Sequence, residues 1–321
     1  MNNQSENTSK LISIVVPCYN EQDSIGGFVE RISPVLEQLD LEYELLFVDD
    51  GSNDDTLALL SMLSEKFSAI RVVALTRNFG KEAALTAALD HARGDAVIPM
   101  DSDLQDPVEL IPQMVRRWRA GAEVVLARRI ERSSDSRRRR LLTWGYYRLL
   151  SRLSSPPMPR DVGDYRLMDA TVVRAVRQLR ERNRFMKGIM SWPGYRVEVV
   201  DFVRPERREG HSKWRSWRLF NFALDGLFSF STAPLRMWTY AGLLLSAFSL
   251  MYLVYIVMKT LVFGVDLPGY ASIVSIILFF SGINLVGLGI LGEYLGRVFV
   301  EVKQRPIYLV RHKIGFDQDQ N

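Results

Sequence analysis

Between residues 11 and 128 the chain switches repeatedly between two hydrophobic patterns. Short β-branched runs, "LISIVVPCY", "YELLFVDD", "IRVVALT", "AVIPMDSD" and "AEVVLAR", read as buried strands closed off by polar residues. Segments near 21–39, 54–68, 80–93 and 107–120 instead carry helical patterns. Alternation of this kind predicts an α/β fold, a mainly parallel sheet with helices on both faces. Such sheets bind ligands beyond the carboxyl ends of their strands. The unusual residues stand at those ends: "PCYNE", "DDGSND", "RNFGKE" and "DSDLQD" follow the first four strands in turn.

The pattern changes after residue 235. Trp238 to Met258 and Leu267 to Gly292 carry no charge. At about 1.5 Å per residue, each is long enough for a hydrocarbon core of about 30 Å. Only a short turn around "FGVDLPG" separates them, which predicts a transmembrane hairpin with helices over about 236–263 and 268–296. Arg236, Arg297, Lys303 and Arg305 flank its outer ends, whereas Lys259 and Asp266 lie near the turn. The positive-inside rule then puts both termini in the cytoplasm. The predicted organisation is a soluble domain over 1–210, an interfacial helix over 211–232, the hairpin over 233–300 and a cytoplasmic tail over 301–321. In the interfacial stretch Trp214, Trp217, Asn221, Leu224 and Phe228 follow steps of three and four, with arginines beside them. Its basic side chains, and those of "RRRRLLTWGYYRLL" at 137–150, suit an anionic membrane surface.

Composition mainly excludes. Lys+Arg 41 against Asp+Glu 37 leaves a net charge of +4, too mild to define a partner. The four arginines at 137–140 come with no nucleic-acid-binding motif, so no nucleic-acid partner is expected. Cys18 stands alone, which rules out an intrachain disulfide framework and a cysteine metal cluster. The first ten residues are polar and contain no signal-peptide h-region. Neither GxGxxG nor GxxxxGK[ST] occurs, so dinucleotide and P-loop readings fall away.

"MDSDLQDP" sets Asp101, Asp103, Gln105 and Asp106 together at the end of a buried strand. Like charges so close repel unless a counter-charge intervenes. A divalent cation resolves the conflict, and all-oxygen ligands suit a hard one. Taken alone, "DDGSND" could be a turn capping the next helix and "DSD" a solvated loop. Their joint occurrence on one sheet edge favours a shared site.

Together "IVVPCYNE", "VDDGSNDDT", "RNFGKEAAL", "MDSDLQDP", "GDYRLMD", "REGHSKW" and "SFSTAPLR" resemble the membrane-bound polyisoprenyl-phosphate glycosyltransferases of the inverting GT-A type. That group includes bactoprenol glucosyltransferases and relatives of dolichol-phosphate mannose synthase. The resemblance implies a Rossmann-like GT-A catalytic domain, a UDP-sugar donor, an undecaprenyl-phosphate-like acceptor and a Mg²⁺ or Mn²⁺ cofactor. It also implies a multi-pass protein of the inner (cytoplasmic) membrane with a cytosolic catalytic domain, assembled as a homo-oligomer such as a tetramer. Carried over by position, Pro17, Tyr19 and Glu21 line the nucleoside site, Asp49 accepts from the uracil ring, and Lys81 and Asp101 complete the donor site. Asp101 and Asp103 are the DxD pair; Asp101, Asp103 and Gln105 are assigned to the metal, with Asp103 and Gln105 nearest it, and Asp101, Asp103 and Asp164 are the catalytic acids. Arg128, Arg166 and Lys213 are assigned to the acceptor phosphate. Asp164 is a positioning group or a base, or else simply the partner of Arg166.

Within the family, "GDYRLMD" and "ERNRFMKGIMSW" look most like the enzymes that use UDP-glucose, with a modified aminoarabinose as the runner-up sugar. A processive polysaccharide synthase would carry Q-x-x-R-W late in the domain. "QMVRRW" at 113–118 is one residue too long and too early. A non-enzymatic binding scaffold would have no need of an intact Asp101, Asp103 and Gln105.

Overall fold

The computed structural model describes residues 10–130, 162–202, 233–263 and 269–316. Lys213, the interfacial stretch 211–232, the basic run 137–150 and Asp266 lie outside the described residues. The strands are β1 (Leu11–Cys18), β2 (Glu42–Asp49), β3 (Ile70–Leu75), β4 (Ala96–Pro99), β5 (Val124–Arg129), β6 (Val162–Asp169), β7 (Val197–Phe202) and β8 (Val310–Ile314). They form one sheet in the order β7-β5-β6-β4-β1-β2-β3-β8. β4, β1, β2 and β3 run parallel, as the alternation predicts. β6 is antiparallel to both β4 and β5, and β8 is antiparallel to β3.

Helices α1 (Gln22–Glu37), α2 (Thr56–Lys66), α3 (Lys81–His91) and α4 (Ile111–Arg119) fill the connections where helical spacing was read. A 3₁₀ turn, Val108–Leu110, leads into α4. Two further helices, α5 (Ala170–Gln178) and α6 (Met186–Ile189), follow β6. The two-residue period of β1 divides the core. Ile12, Ile14 and Val16 pack with Phe28 and Ile32 of α1 and Met114 of α4, whereas Val15 packs with Leu85 and Ala88 of α3. Each such side chain contributes roughly 1.5–3 kcal/mol on burial. In α3 every residue from Ala83 to Leu89 is buried, and its alanines let the helix lie close against the sheet.

The hydrophobic pattern did not announce β6, β7 or β8. Residues 301–321, expected as a tail, include β8, which pairs Val72 with Ile314 and Val73 with Lys313. The chain therefore returns to the first domain after the apolar segment.

That segment forms α7 (Ala233–Phe263) and α8 (Tyr270–Val302). Trp238–Ile256 and Phe279–Val302 are long and apolar enough to cross a membrane. The large side chains of the two helices are largely exposed, with Leu244 at 75% and Leu288 at 63%. A helix apolar all round yet unburied by protein fits a lipid environment. Gly287 lies under Trp238, where an added Cβ would come within 2.2 Å of the indole nitrogen, so glycine sets this approach of α8 to α7. At the end of α8, Glu301 accepts from the backbone N–H of Arg182 at 2.9 Å and from its guanidinium at 3.1 Å.

Candidate active site

A cleft of 290 Å³ opens at the carboxyl ends of the central strands. Pro17, Tyr19 and Glu21 line it from the β1 end, Lys81 from the start of α3, and Asp101 and Asp103 from the β4 end. The first two loops are stitched together by side chains. The backbone N–H of Asn20 donates to Ser52 Oγ at 2.9 Å, that of Asn53 to Asn20 Oδ1 at 2.9 Å, and that of Glu21 to Thr56 Oγ1 at 2.8 Å. The Asn53 side-chain amide reaches the Tyr19 hydroxyl at 3.3 Å.

The two aspartates closing β2 have different surroundings. Asp49, assigned to the uracil ring, is buried and accepts weakly from the Ser52 N–H at 3.3 Å. Asp50 faces the cleft instead, and its carboxylate accepts from the N–H groups of Phe79 and Gly80 at 2.7 and 2.8 Å. Burial raises the Asp50 pKa, with those two hydrogen bonds opposing the rise. Between the loops only glycine fits. Gly51 has φ +67°, and a Cβ there would sit 2.4 Å from the Arg77 carbonyl carbon. Asp50 therefore fixes the "RNFGK" loop, and with it the position of Lys81. The sequence reading missed this residue; the second acid of "DDG" was its only local signal.

Lys81 donates to both carboxylate oxygens of Asp101, at 2.6 and 2.8 Å, and lies 3.6 Å from Asp164. Burial alone would lower the Lys81 pKa, but the Asp101 and Asp164 charges outweigh it and the net shift is upward. Asp103 accepts from the Gln105 backbone N–H at 3.1 Å and from its side-chain amide at 2.5 Å. Leu104 between them has φ +54°, a left-handed conformation that costs a non-glycine residue about 1–3 kcal/mol. The turn at Leu104 brings Asp103 and Gln105 toward each other, and their hydrogen bonds offset its cost.

The residues assigned to acceptor phosphate meet a different fate. Arg166 is 1% exposed, donates to the Gly163 carbonyl at 2.8 Å, and has an Nε without a hydrogen-bond partner. Burial pushes its pKa down to about 10 although Asp164 opposes the shift. In this position Arg166, which the resemblance assigned to acceptor phosphate, braces β6 beside Asp164. Arg128 is half exposed, and its guanidinium forms two hydrogen bonds with Asp201 of β7, at 2.6 and 2.9 Å. Lys213 lies outside the described residues. Glu82, which the sequence reading did not single out, accepts from the Met186 N–H at 2.9 Å and ties α3 to α6. Trp118 of "QMVRRW" is a core residue donating to Asp169 at 2.8 Å, and it does not line the cleft.

A mainly parallel, Rossmann-like sheet that brings these acids to its carboxyl edge has the GT-A architecture of glycosyltransferases. The chain belongs to glycosyl transferase family 2, matched over residues 13–177, and its residues 233–298 match the GtrB C-terminal hairpin. It is 47% identical over 300 residues to the SfII prophage-derived bactoprenol glucosyl transferase of Shigella flexneri, covering 94% of this chain and 97% of the relative. The prophage bactoprenol glucosyl transferase homolog of Escherichia coli (strain K12) is 44% identical, with 94% and 98% covered. Among solved structures, glucosyl-3-phosphoglycerate synthase from Mycobacterium tuberculosis, in complex with Mn²⁺ and uridine-diphosphate-glucose, is 22% identical with a TM-score of 0.46, covering 67% of this chain and 76% of that one.

Proposed function

We propose that this glycosyltransferase moves glucose from UDP-glucose to undecaprenyl phosphate, with inversion at the anomeric carbon, on the cytosolic face of the inner membrane. The observation that carries the reading is the meeting of Tyr19, Glu21, Lys81, Asp101 and Asp103 in one cleft, in a chain 47% identical to a bactoprenol glucosyl transferase. The acceptor needs little activation, because a phosphate monoester has a second pKa of about 6 and is largely dianionic at neutral pH. Asp164, 3.6 Å from Lys81, then serves to position that ammonium rather than to remove a proton. On donor binding Lys81 turns from Asp101 to the diphosphate, and Tyr19 and Glu21 bound the nucleoside. Arg128 and Lys213 are proposed to meet the acceptor phosphate, Arg128 by exchanging Asp201 for it.

The residues fit a divalent cation held by Asp103 and Gln105. Asp103 and Gln105 offer oxygen donors side by side, which suits a hard cation that completes its shell with substrate phosphates and water. Bound Mg²⁺ or Mn²⁺ would neutralise charge on the departing diphosphate. The return of β8 to the sheet supports an even number of membrane crossings, with residues 1–210 and 301–321 on one side. A homo-oligomeric assembly belongs to the same reading.

The test is to incubate purified enzyme with undecaprenyl phosphate and a panel of UDP-sugars, measuring UDP release and the mass of the lipid product. A hexosyl lipid formed from UDP-glucose is expected. Transfer of a different sugar, or UDP binding without any lipid product, would overturn the proposal.

A further inference from the structure

A second cavity, of 390 Å³, lies where the end of α8 meets the first turn of α3. Four cationic side chains line it: Arg182, Arg184, Lys303 and Arg305. Two of them are already engaged. Arg182 pairs with Glu301, and Arg184 donates to the Leu179 carbonyl at 2.9 Å while its Nε is buried without a partner. The other two lack a carboxylate among the described residues. Lys303 rests 4.0 Å above the Phe299 ring, and the Arg305 guanidinium has no hydrogen-bond or ion-pair partner there. Glu82 is the acid on the wall, and it is committed to the Met186 N–H. The remaining wall is apolar, including Phe79 and Phe299.

This arrangement stands at the end of the apolar stretch Phe279–Val302, where a membrane-spanning helix would leave the hydrocarbon. Lys303 and Arg305, with no carboxylate partner among the described residues, stand beside apolar surface at that depth and match an anionic amphiphile, with phosphate on the cations and chains along α8. The cavity is separate from the donor cleft. Gly80, Lys81 and Ala84 face the cleft, whereas Phe79, Glu82 and Ala83 face this cavity. We propose that it is a binding site for the phosphodiester headgroup of an anionic membrane phospholipid. The inference does not rest on the glucosyl-transfer reading. A lipid held there bridges α8 to the start of α3 and so to the loop that carries Lys81.

The full-length protein in neutral detergent is offered dioctanoyl phosphatidylglycerol, dioctanoyl phosphatidylcholine or inorganic phosphate, and bound ligand is counted by native mass spectrometry. Phosphatidylglycerol should bind in clear preference to the other two. The Lys303→Ala/Arg305→Ala variant should lose about thirtyfold in that affinity, from two basic groups each contributing near a membrane surface. Both side chains are exposed, so the variant should match the wild type in thermal transition and UDP binding. If it does not, Lys303→Gln alone provides the comparison, with a loss of about fivefold expected. Unchanged phosphatidylglycerol binding in the variants would overturn the site. Phosphate binding as tightly as the lipid, equal phosphatidylcholine binding, or one-for-one displacement by undecaprenyl phosphate would overturn the ligand assignment.

Discussion

The ends of β2 and β4 both bring aspartates to the cleft, Asp50 from one and Asp101 and Asp103 from the other, but they hold them by different means. Asp50 is 2% exposed and grips two backbone N–H groups. Asp101, by contrast, is held by the Lys81 ammonium, and Asp103 by the Gln105 side-chain amide together with a single, longer backbone N–H contact from its near neighbour Gln105. A backbone amide cannot leave without moving the chain, whereas a lysine side chain turns about its own bonds at little cost. The β2 loop is thus scaffold, and the β4 loop carries charges that a ligand can exchange. Acidic residues of one type, in one cleft, divide between stability and chemistry according to what holds them.

Substitutions on each side should separate these roles. The largest effect is expected at Asp103. Asp103→Asn removes an anionic ligand from the proposed cation site, and losing one contact to developing charge costs a factor of about 10²–10³ in rate. Turnover measured across a Mg²⁺ or Mn²⁺ titration should show that loss and a weakened metal response, with the thermal transition unmoved. Normal turnover would remove Asp103 from the metal. Asp50→Ala should do the reverse. Two part-buried N–H groups lose their acceptor, at a cost of about 1–3 kcal/mol, so thermal unfolding should shift down by several degrees. UDP affinity should fall with it, as Lys81 loses its anchored loop. An Asp50→Ala enzyme as stable as the wild type would break the distinction.

The smallest effect is expected at Lys81. Its raised pKa means that its contribution to stability is complete below the ordinary lysine value of about 10.4 and lost as pH rises through the folded-state value. The Lys81–Asp101 pair is half exposed, so solvent screening holds the contribution below about 1 kcal/mol. Lys81→Met should therefore melt slightly below the wild type at pH 8, and the gap should close in strongly alkaline buffer. A gap that widened with pH would show that the ammonium is not the stabilising species.

The parallel half of the sheet was legible because its strands are buried on both faces and read as continuous apolar runs. The strand-end motifs followed from it, since topology alone gathers them on one edge. β6 escaped because "VGDYRLMD" carries Asp164 and Arg166, polar residues that a strand between two neighbours would ordinarily exclude. β8 escaped because "VRHKI" is short, basic and exposed along an edge, and its partner β3 lies far away in sequence. Distance in sequence also hid the roles of two arginines and an aspartate. Arg128 looked free at the end of β5, but Asp201 is its partner 73 positions on. Nothing local to "GDYRLMD" revealed that the Arg166 guanidinium would be sealed in the core, nor did "DDG" disclose the amides that Asp50 would hold.

β8 also imposes an order on how the molecule is made. β3 remains an open sheet edge until residues 310–314 have been synthesised, after both α7 and α8. An unpaired edge of that kind can recruit a strand from another chain. Growing from its N-terminus, each chain must therefore complete its apolar hairpin before it can close its own sheet. The apolar hairpin is complete first, and the seal on the sheet comes last.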